Sequence, residues 1–285
     1  MVSSREGATA PAMHFELVQS ISLAGSFEVA NDDRAGMTAR AAWIIDGATD
    51  LGEPGLVGAS GGAEWLSCVA DRAFATCDDL PVDAMCRAAA AEAVAAYERD
   101  RTREPVARWE LPRAALFAAR LHAERLEFAW IADCCAYLVD ARGAVRLGPP
   151  ADIGDGEERT AAALAEHGLG AAKRPGPILE FLREARSQAG PDGFGVENAG
   201  LAKLQTGSVA CAAGASLVLM TDGFSALLDR YDLVTPDELG RRLAADGLDG
   251  LVREMRAAEA RDARCERWPR FKVSDDATAL WLRIA

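Results

Sequence analysis

Hydrophobic and polar residues follow two different periods along the chain, and the changes of period mark its elements. A period of two, typical of strands, runs through residues 14–24 and 113–147, and short apolar runs at 41–46 and 277–284 also indicate strands. A helical period places apolar residues on one face at 65–74, 85–97 and 248–255. Shorter strands are predicted at 27–30, 208–212 and 216–221. A further helix is predicted to begin with Thr235 as its N-cap and Pro236 at the first helical position, and Glu238 completes the capping box.

The order of these elements predicts the architecture. Turn residues divide 113–147 into short antiparallel strands, which argues against a doubly wound parallel sheet. The chain then runs as strands, two helices, a strand meander, helices, strands, two helices and a strand, which fits an α+β fold. We therefore predict two packed antiparallel β-sheets flanked by pairs of α-helices, a four-layer α-β-β-α sandwich.

A single domain is the simplest organisation, because 285 residues can bury one full core. There is no internal repeat, low-complexity segment or linker. We predict a disordered lead-in over residues 1–12 and one domain over 13–285.

Composition narrows the possible functions. The formal net charge of −13, without a Lys/Arg-rich face, disfavours nucleic acid as a partner. The seven cysteines are odd in number and include no Cys-x-x-Cys pair, so we expect reduced core thiols rather than a disulfide framework or a zinc site. The first 13 residues are polar and small, and no apolar run approaches the ~18–20 residues that span a bilayer. We expect a cytoplasmic protein without a membrane partner.

Three predicted strands have a carboxylate at one end. Asp46 ends the strand at 41–46, Asp222 follows the strand at 216–221, and Asp275 comes just before the last strand. A buried carboxylate is costly unless a cation neutralises it. Hard divalent ions such as Mg²⁺ and Mn²⁺ prefer such oxygen ligands. The sequence therefore predicts a carboxylate-lined metal centre.

These acids belong to five short motifs whose order resembles that of the metal-dependent protein phosphatases of type 2C, the PPM family, in its bacterial single-domain form. The motifs are Asn31-Asp32-Asp33, Ile45-Asp46-Gly47, Ala132-Asp133-Cys134-Cys135, Thr221-Asp222-Gly223 and Asp275-Asp276-Ala277-Thr278. A lone Asp-Gly is a common turn and carries no weight. Five motifs in order, spanning residues 14–284, are more specific than any one of them.

The resemblance implies a phosphoserine/phosphothreonine protein phosphatase in which two Mn²⁺ or Mg²⁺ ions activate the water that attacks phosphorus. Asp46 would be a catalytic residue that bridges both ions, and Gly47 would offer its carbonyl oxygen to one of them. Asp222 and Asp275 would hold the other ion. The partner would be a phosphorylated protein, acted on in opposition to a Ser/Thr kinase.

Three further acids take roles from the same resemblance. Asp32 stands at the position of a glutamate ligand and is one methylene shorter, so its metal contact would run through water. Asp33 would be a second catalytic residue that orients metal-bound water. Asp133 would serve a third, more weakly bound ion.

Several positions depart from the family pattern. Ala48 replaces a histidine that protonates the leaving oxygen in many members, and Glu28 replaces an arginine that binds the substrate phosphate. Cys134 and Cys135 replace a Ser-Arg pair that gives polar support beside Asp133. We interpret the two cysteines as a buried, inert pair, with a redox switch as the alternative.

Another cation must replace the missing arginine, or the substrate differs. The candidates are Arg34, Lys173, Arg174, Arg183 and Arg186. The last four lie in or next to a flap-like segment predicted around residues 173–200. We predict that Arg34, Arg183 and Arg186 bind the substrate. The alternative is that these residues are solvated charges on helices and loops.

Two other functions remain open. A catalytically weak pseudophosphatase would keep the fold and bind a partner or phosphoprotein without hydrolysis, and the changes at Glu28 and at Cys134-Cys135 favour it. The other is a hydrolase that acts on a small phosphorylated metabolite. Retention of Asp46, Asp222 and Asp275 favours the enzyme.

Overall fold

The computed structural model describes residues 13–171, 174–188 and 193–285. The strands are β1 (Phe15–Leu23), β2 (Arg34–Met37), β3 (Ala41–Gly47), β4 (Arg113–His122), β5 (Arg125–Ile131), β6 (Cys135–Asp140), β7 (Gly143–Leu147), β8 (Phe194–Gly195), β9 (Gln205–Ala210), β10 (Ser216–Met220) and β11 (Ala277–Ile284). The helices are α1 (Gly62–Phe74), α2 (Val82–Asp100), α3 (Asp155–Ala163), α4 (Gly176–Gln188), α5 (Asp222–Asp229) and α6 (Pro236–Arg261). The predicted lead-in lies outside the described residues.

The strands form two antiparallel sheets, as the alternating pattern predicts. One sheet has the order β1-β11-β10-β6-β7, and the other has the order β2-β3-β4-β5-β9, with β8 paired to the start of β4. Alternate residues of the central strands face different layers. Trp43 and Leu116 pack against α1 and α2, whereas Ile44 and Phe117 pack against the other sheet.

A third core layer lies between the first sheet and the helices α5 and α6, where Val218 packs with Phe224 and Leu251. Each such fully buried apolar side chain contributes about 1.5–3 kcal/mol. The result is a helix layer, two sheets and a second helix layer, so the predicted α-β-β-α sandwich is confirmed.

Helix α6 consists of two segments that meet at Gly247, where the backbone has φ 63° and ψ 178°. The left-handed φ favours glycine, and the Leu248 N–H of the second segment donates to Oε1 of Gln19 at 2.8 Å. These segments correspond to the two helices predicted there, and the capping box at Thr235 is present. Within the described parts of the chain, no helix has the length and apolarity needed to cross a membrane.

Two details differ from the sequence prediction. Residues 27–30 form a turn and not a strand, because Phe27 and Val29 are exposed and no layer covers them. The strand that pairs with β3 on that side is β2, in the register Arg34 to Ile45. Helix α5, which starts at Asp222, was not predicted.

The antiparallel pairing brings the acid-bearing strand ends together. Met220, at the end of β10, lies opposite Ala279 near the start of β11 and opposite Cys135 at the start of β6. Neighbouring antiparallel strands place the end of one beside the start of the next. The carboxylates that follow or precede these strands therefore share one edge of the sandwich.

Candidate metal centre

Six carboxylates line one cavity of about 450 Å³, namely those of Glu157, of Glu259 and of four acids that the sequence predicts as metal ligands. Asp46 lies in β3, Asp133 in the turn between β5 and β6, Asp222 at the first position of α5, and Asp275 just before β11. We call these four residues the acid floor. The structure thus brings together four of the predicted metal ligands, and Gly47 lines the same cavity.

Glycine is required beside two of these acids by close packing. A Cβ on Gly223 would collide with the carbonyl oxygen of Asp276, and a Cβ on Gly47 would lie 2.8 Å from the carbonyl oxygen of Asp32. Neither position therefore has room for a side chain. The two Asp-Gly pairs therefore let neighbouring backbone segments approach until their acids meet.

The acids of the floor repel one another. Burial, together with the charges of Asp33 and Asp222, raises the pKa of Asp46 well above its usual value. Burial and the charge of Asp222 raise the pKa of Asp133 to about 7. The carboxyl of Asp46 also shares a hydrogen bond with Asp222. A shared proton reduces this repulsion, and a cation at the same place would reduce it further.

The donor atoms fit a divalent ion. One ligand atom each from Asp46, Asp133 and Cys134 lie within 4.8 Å of one another. The carboxylates are hard donors of the kind that Mg²⁺ and Mn²⁺ prefer. Burial and the charge of Asp46 raise the pKa of the Cys134 thiol well above its usual value, so it is a protonated and poorly reactive group.

Asp33 lies behind the acid floor and is only 1% exposed. Its Oδ2 accepts a hydrogen bond from the Thr221 hydroxyl at 3.0 Å. Its Oδ1 is buried without a hydrogen-bond partner in the part of the chain that the structure describes. A buried carboxylate oxygen that lacks a partner is costly. This oxygen is therefore suited to accept a hydrogen bond from a water or to face a cation.

Asp275 is paired with a lysine. The Lys272 ammonium lies 2.5 Å from Oδ1 of Asp275 and donates to the Thr49 hydroxyl at 2.7 Å. Burial alone would raise the pKa of Asp275, but the Lys272 charge holds it below its usual value. The position that the family resemblance assigns to a second ion thus already has a positive charge beside it.

The loop that carries Lys272 is fixed by a buried ion pair. Nη1 of Arg270 donates to Oδ2 of Asp262 at 2.6 Å, and both residues are buried. Oδ1 of Asp262 also accepts the backbone N–H groups of Glu266 and Arg267, at 2.9 and 3.0 Å. Charge-assisted hydrogen bonds of this kind hold the backbone in one shape. The loop therefore delivers Lys272 to Asp275 from a rigid support.

Asp32 lies apart from the acid floor and lines a second cavity, of about 670 Å³, which Glu28 and Asp50 also line. Burial and the charge of Asp276 raise the pKa of Asp32 to about 7. Its backbone N–H donates to Oδ2 of Asp276 at 2.6 Å. Lys272 and Asp275 line both cavities, so their ion pair lies where the cavity of Asp32 adjoins the cavity of the floor.

The candidate cations fall in different places. Arg34 donates to the carbonyl oxygens of Asn31 and Asp33, at 2.9 and 2.6 Å, and pairs with Glu64, so it fixes the polar tip before β2. It does not line either of the two cavities described above.

The remaining candidates lie in or near α4. Arg183 donates to the carbonyl oxygen of Leu51 at 2.8 Å and stacks on Trp109 at 4.3 Å, beside the second cavity. Arg186 lines the cavity above the acid floor, where its Nη1 donates to the Thr49 carbonyl oxygen at 3.1 Å. Lys173 lies outside the described residues.

Sequence reasoning missed three residues near the floor. The pairing of Lys272 could have been predicted from the sequence, because Lys272 precedes Asp275 by only three positions. Asp50 accepts the Gly62 N–H at 2.6 Å at the start of α1, and Arg113 lines the cavity from the first position of an apolar strand. Neither of these two has a distinctive local pattern.

No known protein-family model and no curated protein matches the chain. Solved structures do match. The catalytic domain of the serine threonine protein phosphatase PstP, solved in complex with two manganese ions, is 16% identical with a TM-score of 0.56, over 96% of this chain and 100% of that one. Stp1 from Staphylococcus aureus is 12% identical with a TM-score of 0.53, over 100% of both chains. The PPM Ser-Thr phosphatase MsPP from Mycobacterium smegmatis, in complex with cacodylate, is 14% identical with a TM-score of 0.52, over 94% of this chain and 99% of that one. Over nearly its whole length, the chain therefore has the fold of the bacterial PPM Ser/Thr phosphatases.

Proposed function

We propose that the chain is a metal-dependent phosphoprotein phosphatase that hydrolyses phosphoserine and phosphothreonine. The observation that carries this proposal is the acid floor, in which Asp46, Asp133 and Asp222 converge on one cavity. The chain shares its fold with PstP, a phosphatase solved with two manganese ions. A cavity of about 450 Å³ also falls within the usual range for small-ligand sites.

In this proposal, Asp46, Asp133 and Asp222 hold Mn²⁺ or Mg²⁺, with the Gly47 carbonyl oxygen as a further ligand. A bound divalent ion supplies Lewis acidity, which lowers the pKa of a coordinated water and offsets the charge of the phosphoryl oxygens. Asp33, fixed by the Thr221 hydroxyl, accepts a hydrogen bond from the attacking water at its Oδ1. It thereby orients that water.

The number of ions depends on Lys272. A second ion at Asp275 would need the ammonium to move away, and Asp32 would then assist it through water. A third ion at Asp133 would compete for a carboxylate that the first ion uses. The floor as it stands thus supports one tightly held ion and a weaker second one.

A pseudophosphatase is the second candidate, and the ion pair between Lys272 and Asp275 favours it. An ammonium at a ligand position reduces metal occupancy, and Glu28 provides no positive charge to hold a phosphate. A small-metabolite phosphatase is the third candidate, and it shares the same chemistry. Activity on different substrates separates these three.

The test is hydrolysis of a phosphothreonine peptide and of para-nitrophenyl phosphate, with Mn²⁺, with Mg²⁺ and with EDTA. The proposal predicts peptide turnover that requires the metal and is lost in EDTA. Turnover of the small ester alone would favour a metabolite substrate. Mn²⁺ binding without any turnover would favour the pseudophosphatase, and turnover in EDTA would contradict a metal-dependent reaction.

A further inference from the structure

Five arginines line the cavity of the acid floor, and three of them lie close enough for their charges to repel one another. Arg113 begins β4, Arg174 comes shortly before α4, and Arg186 lies in the last turn of α4. All three line the same cavity as the floor. We call them the arginine wall.

Two guanidinium groups of the wall have buried nitrogen atoms without a hydrogen-bond partner among the described residues, namely Nη2 of Arg113 and Nε of Arg174. Arg113 is only 8% exposed, and its closest acid is Glu197, at 3.8 Å. Leaving a buried donor unpaired is unfavourable, and more so for a charged group. The wall therefore carries donors that the protein itself does not satisfy.

The positive charges of the wall also repel one another. Burial, together with the charges of Arg113 and Arg174, lowers the pKa of Arg186 to about 10. Asp50 opposes this repulsion, but its carboxylate is engaged by the Gly62 N–H at 2.6 Å. Glu197 is likewise engaged by Arg108, at 3.1 Å. Asp50 and Glu197 thus serve other partners as well, whereas Asp275 and Glu157 offset part of the charge of Arg174.

We propose that Arg113, Arg174 and Arg186 form an oxyanion-binding site that holds a phosphate or carboxylate group of the substrate opposite the acid floor. Guanidinium groups match such oxyanions with paired hydrogen bonds. The site supplies the cation that is missing at Glu28, from a different part of the chain. This inference rests on the proposed function for the identity of its ligand as substrate.

The structure separates Arg186 from Arg183, although both lie in α4. Arg183 is held by the Leu51 carbonyl oxygen and by the Trp109 ring, and it does not line the cavity of the acid floor. The Arg183→Gln variant is therefore a matched control, because it removes the same charge from the same helix outside the wall.

The first test measures binding of inorganic phosphate to the protein in EDTA by isothermal titration calorimetry. Losing a hydrogen bond to a charged group costs about 1.5–3 kcal/mol, so Arg113→Gln and Arg186→Gln should each weaken binding by about tenfold or more. Arg183→Gln should bind as the unmodified protein does, and circular dichroism checks that each variant is folded. If the unmodified protein does not bind phosphate, or if all three variants bind it equally well, the inference is wrong.

This test requires neither metal nor turnover, so it stands apart from the proposed function. Arginine-dependent phosphate binding by a protein that hydrolyses nothing would uphold the site and refute the phosphatase. Robust hydrolysis with an unchanged KM in Arg113→Gln and Arg186→Gln would uphold the phosphatase and refute the site.

The source of the oxyanion follows from the KM of three substrates in Arg186→Gln. These are para-nitrophenyl phosphate, a phosphothreonine peptide with neutral neighbours, and the same peptide with acidic neighbours. An equal rise in KM for all three identifies the reacting phosphate as the bound group. A rise for the acidic peptide alone identifies a second acidic group, and no rise for any of them contradicts the inference.

Discussion

The Lys272 ammonium and the Asp275 carboxylate form an ion pair, 2.5 Å from Nζ to Oδ1, at the place where the family resemblance puts a second metal ion. An ammonium there competes with a divalent ion for the same oxygen. Replacing Lys272 by Met should therefore strengthen binding of the second Mn²⁺, by about tenfold if the pair contributes on the order of 1.4 kcal/mol. Calorimetric titration of metal-free protein with Mn²⁺ measures this.

Lys203→Met is the control for that experiment, since it removes the same charge from a position outside both cavities. Its Mn²⁺ isotherm should match that of the unmodified protein. An unchanged isotherm for Lys272→Met would show that the lysine does not occupy an ion's position.

Asp46 should be indispensable for metal binding. It lies within 4.8 Å of two other donors and shares a hydrogen bond with Asp222, so Asp46→Asn removes a charge from the middle of the floor. We expect Mn²⁺ affinity and turnover to fall by about 100-fold or more, with the fold intact. Calorimetry and peptide hydrolysis measure the two effects, and the exposed helix residue Asp155 provides an Asp→Asn control. Unchanged kinetics in Asp46→Asn would refute the metal centre.

The metal-free protein should lose stability as the pH rises from about 4 to about 7. Burial raises the pKa of Asp133 and of Asp32 to about 7 in the folded state, above the value near 4 expected when the chain is unfolded. The folded protein then binds more protons than the unfolded protein across this range, so its free energy of unfolding decreases with pH. Thermal unfolding in EDTA at several pH values tests this.

Mn²⁺ should raise the unfolding temperature more at pH 7.5 than at pH 5, because the ion replaces protons on the floor. Asp133→Asn should flatten the pH dependence, since the amide does not ionise. A stability of the metal-free protein that increases between pH 5 and 7 would contradict these pKa shifts.

Cys134 should alter which metals the centre accepts. Its sulfur lies within 4.8 Å of the donor oxygens of Asp46 and Asp133, and a soft ion such as Zn²⁺ binds sulfur more strongly than Mn²⁺ does and can displace the thiol proton. We expect Cys134→Ser to weaken Zn²⁺ binding clearly more than Mn²⁺ binding in competition with a chelator dye. Cys211→Ser, at a cysteine outside this cluster, is the control. Equal losses for both ions would show that the sulfur is not a ligand.

Ala132, just before Asp133, has a φ of 64°, a left-handed conformation that costs a residue with a Cβ about 1–2 kcal/mol. Ala132→Gly relieves this strain but loses some chain entropy, so we expect a net gain of about 0.5–1 kcal/mol in the free energy of unfolding. Urea denaturation measures it. Ala129→Gly, in the extended strand β5, should instead be destabilising, and a loss of stability in both variants would contradict the strain.

The strand-end acids were predictable because antiparallel pairing brings Asp222 and Asp275 to one edge of their sheet, and the packing of the two sheets places Asp46 of β3 at the same edge. The same local pattern does not show which cation meets them. Lys272 reaches Asp275 only because the buried pair of Asp262 and Arg270 shapes the intervening loop.

The local sequence pattern also does not show the long-range contacts of the arginines. Arg183 stacks on Trp109, which is far away in sequence, while Arg186 donates to the Thr49 carbonyl oxygen and lines the cavity of the floor. The turn at 27–30 was wrongly predicted as a strand for a related reason. The apolar residues of this turn follow the pattern of a strand. Only the exposure of Phe27 in the structure distinguishes the turn from a strand.

Strand β11 joins β1, the first strand of the described chain, to β10, and Asp276 beside it accepts the N–H groups of Gly25 and Asp32 at 2.8 and 2.6 Å. During synthesis on the ribosome, β1 emerges long before the strand with which it pairs. Contacts between such distant segments form late, because closing the long loop between them costs conformational entropy before the contacts are gained. The acid floor therefore cannot assemble on a nascent chain that lacks β11, which keeps the centre inert until translation has passed Asp275.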